Sequence, residues 1–281
     1  MDRDVVDAAE ALAEAADLRS GVRTREAAEH EVDAVLGRFE ATWGEGRGPD
    51  HAMIRALLHA GGTVLVAVVD DEGGVDASAT PPYATPGALL GATLGFLGWN
   101  EGLHLHSHMN AVAPAARGHG IGLALKLRQR AIAIAHGVDE IRWTFDPLIR
   151  RNARMNLVRL GAEVAAYLPE FYGVIGDEIT GADRSDRFEV RWRLAAPRVD
   201  RALAGEPAPH WSGKEGFALV ADFESLRRDD PDEAARLRAA SAAAFTAMAR
   251  QGLRPELDEH GDYVFTDDDP DLDARPGQEP R

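Results

Sequence analysis

The sequence predicts a mixed α/β fold, and three observations predict it. The β-branched apolar run Thr63-Val64-Leu65-Val66-Ala67-Val68-Val69 reads as a strand buried on both faces. Helical and extended patterns follow one another along the chain as helix, strands, helix, strand, helix, strand, the order of a mixed sheet with covering helices. A glycine-rich junction, Arg117-Gly118-His119-Gly120-Ile121-Gly122, joins an extended segment ending at Val112 to a helical pattern starting at Gly120.

Taken in order, residues 4–40 read as helix broken near Ser20-Gly21, with Val32, Val35 and Leu36 at helical spacing. Residues 51–60 form a short helix stopped by Gly61-Gly62. The strand 63–69 runs into an Asp70–Gly74 turn, and residues 75–86, with three prolines, read as loop. Leu89–Leu97 and Leu103–Val112 are strands. Gly120–His136 is a helix with Leu123, Leu127, Ala131 and Ile134 on its apolar stripe, Lys126 and Arg130 on another face, and Gly137 as C-cap. A strand at 139–145 ends at Asp146-Pro147, a helix at 150–160 ends at Gly161, and short strands lie near 163–167 and 188–194. Residues 200–214 read as a linker to one strand–helix–strand unit: Gly216–Val220, 231–250 and Tyr263–Phe265. The acidic, proline-rich tail reads as disordered. The expected organisation is a domain over 1–200, an extension over 201–266 and a tail over 267–281.

Composition narrows the function. With 281 residues, 45% hydrophobic and 28% charged, the chain has material for a sizeable core. Its net charge of −16 argues against nucleic acid as a partner. No apolar run reaches membrane-spanning length, and the start lacks a secretory pattern, so a cytoplasmic protein is expected. The absence of cysteine excludes disulfides and thiolate chemistry. Against the acidic average, residues 115–160 hold nine Lys/Arg and three acids, which suggests a pocket for an anionic ligand; a solvated helix face is the alternative.

The Arg117–Gly122 junction is where such an anion fits. Helix N-terminal N–H groups lack intrahelical partners, glycines let a phosphate approach the backbone, and Arg117 adds charge-assisted donors. The spacing is neither the dinucleotide fingerprint nor a P-loop. A glycine-rich turn with a capping arginine is the alternative.

These residues resemble the acyl-CoA motif of the GNAT acyltransferase superfamily, Arg/Gln-x-x-Gly-x-Gly/Ala, preceded here by Val112-Ala113-Pro114. The resemblance covers roughly residues 30–195 and is densest over 103–173. His106-Ser107-His108-Met109, Trp143–Leu148, Arg151-Asn152-Ala153 and Asn156–Ala162 look like a subgroup of predicted bacterial acetyltransferases, some associated with amino-acid N-succinylation. The resemblance implies the GNAT fold, here with a C-terminal strand–helix–strand extension. It implies an acetyl-CoA donor, with succinyl-CoA as alternative, and a small-molecule amine or amino acid as acceptor. It further implies that the cofactor lies between the fourth and fifth strands, bound by Met109, Asn110, Ala111, Val112, Arg117, Gly118, His119, Gly120, Ile121 and Gly122, with Asn152 as a further contact.

Amide formation from a thioester needs a base for the ammonium, a donor for the oxyanion and, where the thiolate needs it, an acid. His106 and His108, two apart on a strand, project from one face, with His104 continuing the row. They are similar to a His-x-His of the arylalkylamine N-acetyltransferase branch, which implies the base role; a metal site or a structural polar row are the alternatives. The family's acid tyrosine falls on Leu157, so Tyr167, or else Tyr172, is the substitute candidate. Asp146 could bind an ammonium, and Arg150, Arg151 and Arg154 a carboxylate; turn-capping and surface roles stand beside these. No metal is expected. A non-catalytic acyl-CoA-binding module remains the competing class, and the appended unit leaves a homodimer open.

Overall fold

The computed structural model describes residues 3–69, 87–173 and 183–271. The turn read at Asp70–Gly74 and the loop read at 75–86 lie outside these residues, as does the chain from 272. The described residues divide into two compact units, one running to Ile141 and one from Arg142. Among them no helix is long and apolar enough to cross a membrane.

The first unit contains α1 (Arg3–Ser20), β1 (Arg23–Glu26), α2 (Val32–Trp43), α3 (His51–His59), β2 (Thr63–Val68), β3 (Leu89–Gly98), β4 (His104–Val112) and α4 (Ile121–Ala135). β1 to β4 pair in sequence order, each antiparallel to the next. β2 is buried along its whole length because each face meets a different layer. Val64, Val66 and Val68 join Val35, Phe39 and Ile54, whereas Leu65 and Ala67 join Ile121 and Leu125. Burial of each such side chain contributes about 1.5–3 kcal/mol.

Two features depart from the sequence reading. β1 interrupts the helix expected over 4–40. Arg23-Thr24-Arg25-Glu26 has no apolar period; polar contacts pin it, with Thr24 bonded through its amide and hydroxyl to Asp17, and Arg25 bidentate to Glu31. The second is α4, whose Lys126 and Arg130, placed off its apolar stripe, are buried as well. The small stripe Ala9, Ala13 and Ala16 is buried on α1, which packs along α4 and sets Glu10 and Asp17 against Arg128.

The boundary between the units falls within β5 (Glu140–Phe145). The second unit continues with α5 (Arg150–Ala153), a π-helical turn over Arg154–Arg159, β6 (Glu163–Leu168), β7 (Arg187–Arg193), α6 (Pro197–Leu203), β8 (Glu215–Phe217), α7 (Phe223–Asp229), α8 (Pro231–Arg250), β9 (Arg254–Leu257) and β10 (Tyr263–Thr266). β7 lies between β5 and β6, and a three-stranded antiparallel sheet runs β8-β10-β9. The extension is therefore richer than one strand–helix–strand. α6 occupies the start of the expected linker. β9 carries Pro255, which sequence patterns discount in strands but an edge strand tolerates. An aromatic cluster of Phe188, Phe245 and Tyr263 forms its core, with Phe188 and Phe245 centroids 4.6 Å apart. The start of the acidic tail is ordered: Asp268 accepts from Ser212, and Asp271 accepts from Arg193.

Candidate functional site

The glycine-rich junction builds a bare helix N-terminus. Gly118 has φ +85° and Gly120, the N-cap of α4, has φ +87°. A residue bearing a Cβ strains there by about 1–2 kcal/mol. A Cβ on Gly118 would enter open space, and one on Gly120 would lie 2.8 Å from Ser20 Oγ. On Gly122 it would meet only Val112 at an ordinary 3.8 Å. The first helical amide to reach back is Ala124, to the Gly120 carbonyl at 3.0 Å. The N–H groups of Ile121, Gly122 and Leu123 therefore precede the ladder and carry the positive end of the helix dipole. Ile121 is buried and anchors this turn, while Arg117 and His119 are exposed beside it. Two left-handed glycines, open space and leading amides fit the diphosphate of an acyl-coenzyme A.

One residue here was not found from sequence. Burial, then the charge of Arg117, holds the Arg38 guanidinium on α2 below its ordinary pKa, and Arg38 Nε is buried without a partner among the described residues. A single arginine within an amphipathic helix carries no local signal of such a neighbour.

β4 delivers the remaining residues. Met109 and Ala111 turn into the core with Val35 and Phe39, and the Met109 carbonyl accepts from Thr93 Oγ1 at 2.6 Å. Asn110 reaches the Gly122 carbonyl at 3.4 Å, and Val112 abuts Gly122, so the strand end is tied to the first turn of α4.

The histidines lie on the same strand, but not through simple alternation. Leu94 pairs with Met109 and Gly95 with Ser107, which leaves His108 as the extra residue of a β-bulge. The rings are nonetheless neighbours: His106 and His108 centroids lie 6.0 Å apart, and Phe96 lies 5.3 Å from His106 and 6.0 Å from His108. His104 is buried with Nδ1 2.9 Å from the Gly102 carbonyl. Burial, then the neighbouring His108, His104 and Lys126, push His106 down to about 4; burial also lowers His108. The expectation of an imidazole poised near neutral pH is thus corrected for His106, whose ring is uncharged at pH 7. Among the described residues no group of three His, Asp or Glu could hold a metal ion.

Behind the strand, buried Lys126 donates to Ser107 Oγ at 2.7 Å, and burial pulls its pKa down to about 7. In the unfolded chain a lysine titrates near 10.4. Between these values the unfolded state holds the extra proton, so stability rises as pH increases from 7 towards 10. Lys126→Met is expected to remove this rise, worth up to about 4 kcal/mol on linkage grounds, in urea unfolding at pH 7, 8.5 and 10.

In the second unit most of the polar candidates are bonded to their own chain. Tyr167 donates its hydroxyl proton to Asp186 at 2.8 Å, and burial together with that carboxylate raises its pKa, so the proton is held more tightly. Tyr172 shares a 3.1 Å hydrogen bond with Thr144 Oγ1 and is exposed. Leu157 is buried in the π-helical turn, and neighbouring Asn156 accepts from Trp143 Nε1 at 3.2 Å. Asp146 accepts two bonds from Arg238, at 2.9 and 2.7 Å. Arg150 donates to Asp262 at 2.5 Å and to the carbonyls of Leu219 and His260. Arg151 is bidentate to Glu224. Asn152, half-buried, donates its backbone N–H to the Ile149 carbonyl at 2.9 Å. Arg154 is exposed. The side-chain partners of Tyr167, Tyr172, Asp146, Arg150 and Arg151 lie between 19 and 112 residues away in the chain, beyond the reach of local pattern reading.

No family model matches the chain. No curated protein matches it either. Among solved structures it is similar to the NatC complex bound to Gag peptide and CoA, at 18% identity, 62% coverage of this chain and 99% of that chain, TM-score 0.45. It is similar to an N-acetyltransferase from Staphylococcus aureus Mu50, at 15% identity, 62% and 98% coverage, TM-score 0.44. It is also similar to a GNAT superfamily phosphinothricin acetyltransferase from Sinorhizobium meliloti in complex with acetyl-CoA, at 16% identity, 61% and 87% coverage, TM-score 0.43.

Proposed function

We propose that the chain is an acyl-coenzyme A-dependent N-acyltransferase that moves an acetyl group from acetyl-CoA to the amine of a small molecule. The observation that carries this reading is the pair of left-handed glycines, Gly118 and Gly120, opening α4 beside Arg117. Leading amides of a 15-residue helix, cleared of Cβ atoms and flanked by an exposed guanidinium, have the chemistry of a diphosphate cradle. A bound acyl-CoA supplies an activated thioester. The chain's own residues then hold the diphosphate and take up the amine proton. The new C–N bond forms as the C–S bond breaks, and the amine's proton passes to an imidazole of the His106–His108 pair.

Acetyl is favoured over succinyl because Asp262 and Glu224 already pair with Arg150 and Arg151, two of the three guanidinium groups that could grip a second carboxylate. With Leu157 aliphatic and the Tyr167 hydroxyl already donating to Asp186, thiolate departure draws its proton from solvent. The same two facts favour a second reading, a module that binds acyl-CoA without turnover.

Thiol release from acetyl-CoA with a panel of amines, alongside calorimetric CoA binding, tests both. Binding with release supports the transferase, and binding without release leaves the module. His108→Ala is expected to lower kcat about 100-fold or more while CoA affinity stays unchanged, the size of a lost general base. Unaltered kcat would remove His108 from the proton transfer.

A further inference from the structure

Strand β4 changes faces at its bulge. Ser107 points to α4, where Lys126 reaches its Oγ at 2.7 Å, whereas Met109 packs with Val35 and Phe39 of α2. Residues two apart on a regular strand share a face, so the extra residue, His108, reverses the alternation. Downstream, Asn110 and Val112 therefore meet Gly122 at the first turn of α4. Upstream, His106 stands opposite Phe96 on the face away from Ser107. If the bulge were lost while the downstream end kept its place, a one-residue slip would turn His106 toward α4 and Ser107 away from it.

Buried bonds outside the strand ladder hold both flanks of the extra residue. On one side Lys126 donates to Ser107; on the other Thr93 Oγ1 donates to the Met109 carbonyl at 2.6 Å. Gly95, the β3 partner of Ser107, has no room for a Cβ, which would lie 2.6 Å from both Gln129 Nε2 and Thr63 Oγ1. Those two atoms are themselves hydrogen-bonded at 2.9 Å. Thr63, Thr93, Ser107, Lys126 and Gln129 are all buried. Burying a lysine amine is costly, and an apolar side chain would fill the same place without that cost. A bulge is a choice of register, and a satisfied buried polar contact is a means of fixing register.

We propose that Lys126 is a positioning residue for the acyl transfer: through Ser107 it holds the β4 bulge that sets the His106 and His108 rings side by side. This rests on the transferase reading and adds to it a residue that acts through another.

Ser107→Ala removes the acceptor and leaves the lysine in place. With the fold retained by circular dichroism, it is expected to lower kcat at least about tenfold, since misplacing a reacting group by about 1 Å can cost about 100-fold. KM and the calorimetric Kd for CoA should stay within about twofold of wild type, because binding is not what the bond sets. Ser107→Thr keeps the hydroxyl and should recover most of the loss. Lys126→Met should lower kcat likewise, and the double variant should fall no further than Lys126→Met, because both changes remove one bond. Lys126→Met also removes a charge that acts on His106, which makes Ser107→Ala the primary variant. Arg128→Met is the control: it breaks the bonds from α4 to Glu10 and Asp17 and should lower stability with kcat unchanged. The imidazole Hε1 resonances, identified through His106→Gln and His108→Gln, report on position without turnover. Ser107→Ala should shift both, and Arg128→Met neither. Wild-type kcat in either single variant, or losses that multiply in the double, would overturn the inference and leave the transferase reading standing. Unmoved resonances in Ser107→Ala would overturn it whether or not the wild type turns over. No thiol release by the wild type with any amine would overturn the transferase reading, while shifted resonances would still keep Lys126 as the anchor of the bulge.

Discussion

Gly120→Glu is expected to lower CoA affinity by at least about 100-fold, read by calorimetry, with the fold retained. The substitution acts three ways. It strains a backbone at φ +87°, costing about 1–2 kcal/mol. Its Cβ would meet Ser20 Oγ at 2.8 Å, and Ser20 is buried at the end of α1, so the loop or α1 must shift. Its carboxylate then sits where the proposed ligand brings negative phosphates. Gly120→Ala separates these causes: it keeps the first two and drops the third, and a loss of about tenfold in affinity is expected. Gly122→Ala is the control. Its Cβ would make an ordinary 3.8 Å contact inside α4, where alanine favours the helix over glycine by about 1 kcal/mol, so stability should hold or rise. Wild-type affinity in Gly120→Glu would remove the loop from phosphate binding.

The contrast among these glycines also marks what the sequence makes legible. Gly118 and Gly120 stand out because a local rule, glycine where the backbone turns left-handed before a helix, operates within a few residues. β2 is legible for a similar reason, since two packed layers leave no polar alternation in Thr63–Val68. The histidine pair is legible in the sequence, but the bulge beside it is not. Period-two alternation puts His106 and His108 on one face, and their rings do lie 6.0 Å apart, but with a bulge at His108 in the pairing with β3. One inserted residue of register leaves no trace in composition. Helical spacing puts Lys126 and Arg130 off the apolar stripe of α4 but does not reveal that both are buried, Lys126 against Ser107 of β4, a contact between two distinct elements. Asp146, Arg150 and Arg151 looked like open substrate handles for the same reason, their partners being supplied by α7, α8 and the β9–β10 turn. Local chemistry says what a side chain can bind, and only the tertiary fold says whether the chain has already bound it.

Arg238→Met should destabilise the protein by about 3–5 kcal/mol, the usual result of removing one partner from a buried ion network. Arg238 is 1% exposed on α8. Its guanidinium meets Asp146 through two bonds and Asp183 at 2.7 Å, and it lies 4.9 Å from the Phe223 ring centroid. Burial alone would lower its pKa, but the two carboxylates more than offset this and raise it, so the group stays charged. Methionine fills similar volume and leaves both acids without their shared cation. Arg227, 3.3 Å from Asp183, retains one contact there, and among the described residues no second ion pair to Asp146 is seen, while Asp146 also accepts from the Leu148 amide at 3.0 Å. The loss should therefore be felt first at the Asp146–Leu148 turn after β5. Arg238→Lys keeps the charge but not the planar fork that serves two acids at once, and a smaller loss of about 1–3 kcal/mol is expected. The double variant Arg238→Met with Asp146→Asn is expected to recover part of the deficit, because the orphaned charge is removed together with its partner. Urea denaturation followed by circular dichroism measures all three. Equal stability of Arg238→Met and wild type would show that the network is dispensable for folding.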